Sequence, residues 1–439
     1  MDDSADRAIG RAWRDDRGWR ILTALTELDD RFGGHPGEHR AAELIADELD
    51  GNGLRDVRVE SFDLTRWDRG EASLQVIDPV DRTFEAVALP YSPPGTVDGE
   101  LVDVGGGTTT EVEAVDLAGK IALVSTLTPD SDERFVHRME KYGHVVDAGA
   151  AGFVFHNHVP GQLPPTGALR FGGAGEIPGV GVSKETGDWL VEYADRGGVV
   201  EVAVEAGTSA GTSRNVHGVL GPETDDEVLL LAHHDAHDVA EGALDNACGV
   251  AVVVTAADVL AAFDLETRVR IATVGCEEIG LLGASALADT LDLDRVKAVV
   301  NVDGAGRFRD LRAFHHGSEH MAALIDAVAD RSGQPIVSED EIHPYSDHWP
   351  FVNQGVPAVQ LHADSGEVGR GWGHTAADTR DKVDKRNLRS HGVLAALFVH
   401  ALSTAGSIPR LALDEIATTL RENGFESGMR AGGIWPDHW

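Results

Sequence analysis

The sequence predicts an α/β protein with a doubly wound, mostly parallel sheet that carries an inserted β-rich domain. From about residue 213 onward, apolar strand-like runs alternate with helical segments, which is typical of parallel pairing. Between about residues 70 and 210 the chain instead shows short apolar runs separated by Gly- and Pro-rich turns. The expected organisation is an N-terminal part of the main domain over 1–75, an inserted domain over 76–212, the rest of the main domain over 213–410 and a tail over 411–439.

The elements of the main domain follow from their hydrophobic periodicity. Residues 19–50 form an amphipathic helical region in which Leu22 and Leu25, then Ile45 and Leu49, recur at helical spacing. The further elements are predicted as strand 227–235, helix 246–262, strand 267–276, helix 280–290, strand 297–303, strand 311–316, helix 319–332, strand 356–361 and helix 386–404. In a sheet of this kind the functional site lies at the carboxyl ends of the strands.

The composition is strongly acidic, with 74 Asp and Glu against 37 Lys and Arg and a formal net charge of -37. Hydrophobic residues make up 42% of the chain, so the acidity does not indicate disorder. A surface of this sign repels nucleic-acid phosphates and anionic membranes, so neither is expected as a partner. Because lysine is scarce among the cations, we expect a halophilic protein that stays soluble in concentrated salt, the alternative being an ordinary acidic protein.

The N-terminal residues and the cysteines bear on location. Met1-Asp2-Asp3-Ser4 lacks a basic region followed by an apolar run, so no signal peptide is expected and a cytoplasmic location is predicted. No membrane span is expected either. The only two cysteines, Cys248 and Cys276, allow at most one disulfide and are expected to be buried core residues.

Charged residues follow three of the apolar runs at the point where each ends. The first run leads into His233, the second into Glu277 and Glu278, and the third into Asp303, while Asp245 opens the next helix as an expected N-cap. Taken singly, each has a structural explanation, but their equivalent positions indicate one site. Charges at the rim of an apolar sheet are costly unless they bind a cation. Nitrogen and carboxylate donors suit a pair of Zn²⁺ ions, with Mn²⁺ or Co²⁺ as alternatives.

Six short motifs follow one another along this part of the chain. They are His233-His234-Asp235, Asp245-Asn246, Glu277-Glu278-Ile279-Gly280-Leu281-Leu282-Gly283, Asn301-Val302-Asp303, Ser346-Asp347-His348-Trp349-Pro350-Phe351 and His374-Thr375-Ala376-Ala377-Asp378-Thr379. Their order resembles that of the co-catalytic zinc exopeptidases, which include bacterial leucine-type aminopeptidases, aminopeptidase Y and the glutamate carboxypeptidases. The resemblance implies a zinc exopeptidase fold and two divalent metal ions per chain.

The resemblance also implies a metal-ligand set. Asp245 would bridge the two ions, His233 and Asp303 would complete one of them, and Glu278 and His374 would complete the other. Such a pair of ions acts on a bridging water and on the carbonyl that the water attacks.

Two further residues receive roles from the resemblance. Glu277 would be the general base and Asp235 would orient His233. His234 and His237 are interpreted as non-ligands, because their spacing to Asp245 does not match. Many family members carry Tyr or His directly before the last ligand, where this chain has Gly373. The oxyanion donor is therefore expected to be Tyr345 or His348, unless the metal alone serves.

The inserted region resembles a protease-associated domain. Its motifs are Leu117–Val124, Ala148–Phe155 and Ile177–Ser183. Upstream, Thr65–Gly70 and Ala88–Ser92 resemble plasma glutamate carboxypeptidase, also called carboxypeptidase Q, a branch that cleaves dipeptides.

The function that these resemblances imply is two-metal hydrolysis of short peptides, with dipeptides as the expected substrates. An aminopeptidase acting on longer peptides is one alternative, a single-zinc acyl transferase like glutaminyl cyclase is another, and a non-catalytic receptor-like module is a third. Retention of Glu277, Glu278 and His374 favours the peptidase. The expected partner is a small peptide substrate, and a homodimer stays open as the oligomeric state.

Overall fold

The computed structural model describes residues 3–132, 134–363 and 371–439. The chain separates into two compact units. The first unit consists of Met1–Leu64, Thr212–Gly373 and Asp378–Ile416, and the second of Thr65–Gly211, His374–Ala377 and Ala417–Trp439.

The helices and strands are numbered along the chain. The helices are α1 (Asp3–Ala12), α2 (Arg17–Thr26), α3 (Pro36–Gly51), α4 (Thr109–Glu113), α5 (Arg138–Asp147), α6 (Lys184–Ala194), α7 (Cys248–Leu260), α8 (Leu282–Thr290), α9 (Glu319–Ser332), α10 (Trp349–Val352), α11 (Lys385–Thr404), α12 (Leu413–Glu422) and α13 (Phe425–Ala431). The strands are β1 (Arg55–Asp78), β2 (Arg82–Glu85), β3 (Val87–Ala88), β4 (Gly95–Asp103), β5 (Ile121–Ser125), β6 (Gly152–His156), β7 (Gly179–Val182), β8 (Val199–Leu220), β9 (Glu227–His233), β10 (Arg268–Val274), β11 (Val296–Val302), β12 (Leu311–Phe314), β13 (Ile336–Glu339) and β14 (Ala358–Ala363).

The sheet of the first unit has the order β13-β12-β14-β11-β9-β10-β8. β9 pairs in parallel with both β10 and β11, and β11 pairs in parallel with β14. Every residue of β9 is buried, as expected for a central parallel strand with both faces covered. The predicted α/β fold is confirmed, and the antiparallel pairings of β8 with β10 and of β12 with β14 make the sheet mixed.

Helix α7 lies in the core of the first unit. Its apolar side chains pack in one cluster with those of β9, β11 and α11. The window Ala243–Leu260 is long and apolar enough to cross a membrane by composition, but 89% of it is buried in the fold. This degree of burial is that of a core helix in a packed α/β unit.

The second unit has its own sheet and its own core. β4, β5, β6 and β7 pair in parallel in that order, β3 pairs antiparallel to β7, and the first half of β8 pairs antiparallel to β4. The core of this unit is an apolar cluster that includes Ala122, Val124, Tyr142 and Phe153. The inserted β-rich domain expected from the sequence is confirmed as part of this unit.

The C-terminal tail, for which no structure is predicted from the sequence, belongs mainly to the second unit. Arg134 forms a 2.5 Å ion pair with Glu140 and also donates to the carbonyl of Gly424. Gly143 lies so close to the carbonyl of Ala431 that a Cβ there would collide with it. The second unit therefore begins earlier than the predicted domain over 76–212 and includes chain from the predicted tail.

Candidate metal centre

Three strands of the first unit bring their carboxyl ends to one edge of the sheet. Val274, the last residue of β10, lies level with His233, the last residue of β9. β11 ends at Val302, so Asp303 follows it directly, and the Asp303 N–H donates to the carbonyl of Leu361 over 3.0 Å. Because parallel strands end together, residues that are distant in sequence converge at this edge.

One group of potential metal ligands lies at this edge and consists of His233, Asp245 and Asp303. Nε2 of His233 lies 3.1 Å from Oδ1 of Asp245 and 3.8 Å from Oδ1 of Asp303. One ligand atom from each residue lies within 4.8 Å of the other two. One imidazole nitrogen and two carboxylate oxygens match the donors that zinc takes in proteins, so the residues present fit such an ion.

Asp245 is held in place by its backbone. The N–H groups of Leu244 and Asp245 donate to the two oxygens of Asp378, over 2.6 Å and 3.1 Å. The expectation that Asp245 caps the next helix is wrong, because α7 begins at Cys248 and its N-cap is Ala247. The Asp245 carboxylate is turned toward His233 instead, and Asp378 satisfies the backbone groups there.

Asp235 connects His233 to the segment that carries the two glutamates. Its Oδ1 lies 3.3 Å from Nδ1 of His233 and also accepts the Glu277 N–H over 3.0 Å. Its Oδ2 accepts the Glu278 N–H over 3.2 Å. Three groups thus share one buried carboxylate, which is the geometry expected of a residue that orients the imidazole of a predicted metal ligand.

A second group includes Glu278 and a histidine that the sequence interpretation set aside. Nε2 of His237 lies 2.8 Å from Oε2 of Glu278, and both side chains are buried. The His237 ring also stacks on Phe32 with ring centroids 6.0 Å apart. His237 lies four residues after His233, and the interpretation as a non-ligand relied on its spacing to Asp245 alone. The structure makes His237 a candidate donor.

The predicted ligand His374 belongs to the short segment His374–Ala377 of the second unit. Its Nδ1 lies 3.4 Å from a guanidinium nitrogen of Arg138, and its carbonyl accepts the Thr166 N–H over 2.9 Å. Its φ of 57° lies in the left-handed region that few non-glycine residues adopt. Its role as a ligand stays a prediction.

Asp303 is oriented by a short chain of polar side chains. Ser346 Oγ donates to Asp303 Oδ2 over 2.7 Å, and Asn301 Nδ2 donates to Ser346 Oγ over 2.8 Å. Burial acts most strongly on the pKa of Asp303 and raises it, but the hydrogen bond and charge of His233, together with the charge of His362, bring the pKa below its usual value. From the sequence, Asn301 and Ser346 were identified only as members of motifs. In the structure they orient Asp303 through hydrogen bonds.

His348 is engaged on both ring nitrogens. Its Nε2 lies 2.7 Å from the carbonyl oxygen of His343, and its Nδ1 lies 3.4 Å from Nδ2 of Asn301. The ring stacks on His316 at a centroid distance of 4.5 Å, and burial lowers the pKa of His348 to about 3. A neutral ring that is engaged on both nitrogens is a poor oxyanion donor, so Tyr345 or the metal alone stays the prediction for that role.

An arginine near the N-terminus supports the loop after β9. Arg31 is buried, and its guanidinium donates to the carbonyls of His234, Leu25 and Gly242 over 2.8–2.9 Å. Burial lowers the pKa of Arg31 to about 10, while Asp378 acts in the opposite direction. Arg31 therefore ties the N-terminal segment to the residues on both sides of the candidate metal group.

A buried glutamate supports the segment that carries Glu277. Oε1 of Glu38 accepts a 2.6 Å hydrogen bond from Ser213 Oγ and lies 3.4 Å from Sγ of Cys276. Burial, with Asp235 nearby, raises the pKa of Glu38 to about 8. Cys276 is a free, buried thiol that packs behind the site, as expected from the sequence, and Cys248 is likewise free and buried.

The buried carboxylates of this site carry more negative charge than the neighbouring cationic side chains neutralise. Burial raises the pKa of Glu277 well above its usual value, His233 opposes this, and Asp303 adds to it. Burial likewise raises the pKa of Asp347, whose two oxygens have no hydrogen-bond partner within the described residues. Buried carboxylates crowded in this way are costly without a cation, so the arrangement fits divalent metal binding.

Comparisons with known proteins find similarity to peptidase sequences and structures. The profile of Peptidase family M28 matches residues 215–399, and that of the PA domain matches residues 97–190. Leucine aminopeptidase 2 of Trichophyton rubrum is 30% identical over 355 residues, covering 75% of this chain and 68% of that protein. Carboxypeptidase Q of Mus musculus is 23% identical over 405 residues, covering 88% and 85%. The solved structure of BSAP, a zinc aminopeptidase from Bacillus subtilis, is similar with a TM-score of 0.71 and 26% identity, covering 90% of this chain and 97% of that one.

Proposed function

Because this chain belongs to peptidase family M28, with an inserted PA domain, we propose that it is a two-metal exopeptidase that hydrolyses short peptides, dipeptides first among them. Membership of the family makes it a hydrolase of the metallopeptidase type. The observation that carries the metal-dependent part of this proposal is the convergence of His233, Asp245 and Asp303.

The proposed ligand assignment shares Asp245 between the two ions. His233 and Asp303 belong with it to one ion, and the distances within the first unit support that group. Glu278 and His374 belong to the other, and His237 is a further donor beside Glu278 at 2.8 Å. Zinc is the proposed metal because the donors are imidazole and carboxylate and because similar proteins are zinc aminopeptidases.

The residues of the chain then divide the work of hydrolysis. Two divalent ions at this site would supply Lewis-acid polarisation of the scissile carbonyl and a nucleophilic water at neutral pH. Glu277 accepts the proton of the attacking water and passes it to the departing amine, which needs a carboxylate within hydrogen-bond reach of both. Asp235 keeps Glu277 in place by accepting its backbone N–H over 3.0 Å.

The preference for dipeptides is tested with a panel of peptides on the zinc-loaded protein. We expect kcat/KM for Leu-Gly to exceed that for a pentapeptide with the same N-terminal residue by at least about tenfold. The basis is the resemblance of Thr65–Gly70 and Ala88–Ser92 to carboxypeptidase Q, a branch that cleaves dipeptides. The rates on N-acetylated and on C-amidated Leu-Gly show whether the enzyme requires a free N-terminus or a free C-terminus. The control is intact casein, which an exopeptidase for short peptides leaves untouched. Internal cuts in casein would overturn the exopeptidase proposal, and equal rates on dipeptide and pentapeptide would overturn the length preference.

We also propose that the net charge of -37 is an adaptation to high ionic strength. Salt screens repulsion between exposed carboxylates, so added KCl is expected to stabilise the folded state. For units of this size, a gain of about 2 kcal/mol would raise Tm by roughly 4–8 °C. The measurement is Tm between about 0.1 M and about 2 M KCl, with sucrose at equal osmolality as the control. A Tm that stays flat or falls with KCl would remove the proposal.

A further inference from the structure

A fourth strand, β14, brings a histidine to the end of β11 that none of the six sequence motifs contains. His362 is the second-last residue of β14, and its side chain is half-buried. Its Nδ1–H donates to the main-chain carbonyl of the predicted ligand Asp303 over 2.6 Å. Because a carbonyl oxygen only accepts hydrogen bonds, Nδ1 is the atom that carries the proton.

The pairing of β11 with β14 becomes irregular at Asp303. Val302 lies level with Leu361, and the Asp303 N–H donates to the Leu361 carbonyl over 3.0 Å, as regular parallel pairing requires. The same pairing would direct the Ala363 N–H to the Asp303 carbonyl, but this N–H donates to the Gly304 carbonyl over 3.2 Å. The register therefore slips by one residue, which is a β-bulge. Bulges are frequent beside functional sites, where they change the direction of a side chain.

The imidazole of His362 takes the place that the Ala363 N–H leaves. It supplies the hydrogen bond that the bulge withdraws from the Asp303 carbonyl, and an unpaired carbonyl inside a fold is costly. The ring also packs on Gly304, which has a φ of 76°. A Cβ at Gly304 would lie 2.3 Å from Cε1 of His362, so the contact requires glycine.

The side-chain amide of Asn246 holds the residues on either side of Asp303. Its Nδ2 donates to the Val302 carbonyl over 2.8 Å, and its Oδ1 accepts the Gly304 N–H over 3.1 Å. Every main-chain polar group from the Val302 carbonyl to the Gly304 carbonyl thus has a partner. The backbone at Asp303 is fixed in this way while Oδ1 of its carboxylate lies 3.8 Å from Nε2 of His233.

We propose that His362 is a positioning residue, which holds the bulge at Asp303 and so directs the carboxylate of this predicted ligand to its metal ion. His362 acts through the main chain and not as a ligand. Replacing a residue that orients a metal ligand typically weakens metal binding by about 10–100-fold. The inference rests on the proposed two-metal site and adds to it a residue that the sequence motifs do not contain.

The test compares His362→Asn with His362→Leu. The two new side chains have nearly the same shape, but only Asn carries an N–H at the distance from Cβ at which His carries Nδ1. Zinc is titrated into each dialysed protein against a chelating dye, with no peptide present. We expect His362→Leu to bind the ion held by His233 and Asp303 about 10–100-fold more weakly, with the other ion unchanged. His362→Asn should keep most of the wild-type affinity for both ions.

The Co²⁺-loaded proteins provide a second measurement. Their visible absorption spectra report the arrangement of the ligands, which should change in His362→Leu and stay like the wild type in His362→Asn. The control for loss of an imidazole is His320→Leu, since His320 is exposed on α9 of the same unit. Tm shows that each variant is folded. If His362→Leu does not fold, His362→Gln replaces it, because its longer side chain carries the amide past the position of Nδ1.

Two results would overturn the inference. One is an equal affinity for zinc in the variants with and without the donor, and the other is an equal weakening of both ions, as general loosening of the fold would cause.

Measuring metal binding without peptide keeps this inference apart from the proposed function. If the variants differ in zinc affinity as expected but the wild type hydrolyses no peptide, the peptidase function fails and the role of His362 stands. If the wild type hydrolyses dipeptides while the variants with and without the donor bind zinc alike, the peptidase function stands and the role of His362 fails.

Discussion

Replacing Glu277 with glutamine is expected to lower kcat by about 10²–10⁴-fold while metal content stays at the wild-type level. The amide keeps the shape of the side chain but cannot accept the proton of the attacking water. Glu277 is 9% exposed, and its backbone N–H remains bound to Asp235 because that contact does not involve the side chain. The measurement is kcat on a dipeptide, together with elemental analysis of the dialysed protein.

The matched control for this variant is Glu319→Gln. Glu319 is an exposed carboxylate at the start of α9 in the same unit, and its amide should leave kcat unchanged. A Glu277→Gln enzyme that carries full metal and turns over at a rate near that of the wild type would show that another group moves the proton. Loss of metal in Glu277→Gln would instead mean that Glu277 is itself a ligand.

The convergence of charged residues at one edge of the sheet could be predicted from the sequence. His233 and Asp303 each follow a run of apolar residues, and such runs become parallel strands whose carboxyl ends coincide. The register confirms the principle, since His233 lies level with Val274 of the neighbouring strand. Hydrophobic periodicity therefore predicted where these charged residues converge, because parallel sheets align strand ends regardless of what lies between the strands.

The details of hydrogen bonding at the site could not be predicted in the same way. Asp245 was predicted to cap a helix, but α7 begins three residues later. Asp378 accepts hydrogen bonds from the backbone N–H groups of Leu244 and Asp245. His237 was set aside on its spacing, yet it lies 2.8 Å from Glu278. Both outcomes depend on the path of a loop, and loop paths have no periodic signal.

Contacts between the site and distant parts of the chain also could not be predicted from the sequence. Arg31 binds the carbonyl of His234, 203 residues away, and Glu38 contacts Cys276, 238 residues away. α2 and α3 were predicted as one helical region, whereas the residues between them contribute Arg31. Contacts between such distant residues leave no pattern in a single sequence, because each residue alone has an ordinary surface explanation.

Replacing Asp245 with alanine is expected to remove far more metal than replacing Asp235 with alanine. Asp245 is proposed to hold both ions, and its Oδ1 lies 3.1 Å from Nε2 of His233. Asp235 only orients His233 and the backbone of the two glutamates, so its loss should weaken metal binding by about 10–100-fold. The measurement is metal per chain after dialysis against buffers of rising chelator strength, where the wild type retains about two ions and Asp245→Ala retains at most about one.

The two substitutions form a matched pair because both remove a carboxylate that contacts His233. If the alanine variants do not fold, as judged from Tm, the isosteric pair Asp245→Asn and Asp235→Asn keeps the comparison, since shape is preserved and one charge is lost in each. Elemental analysis of the folded pair then separates a shared ligand from an orienting residue. Equal metal loss in the two variants would mean that Asp245 does not bridge two ions. A wild type that binds one ion would instead favour single-zinc chemistry of the glutaminyl cyclase type.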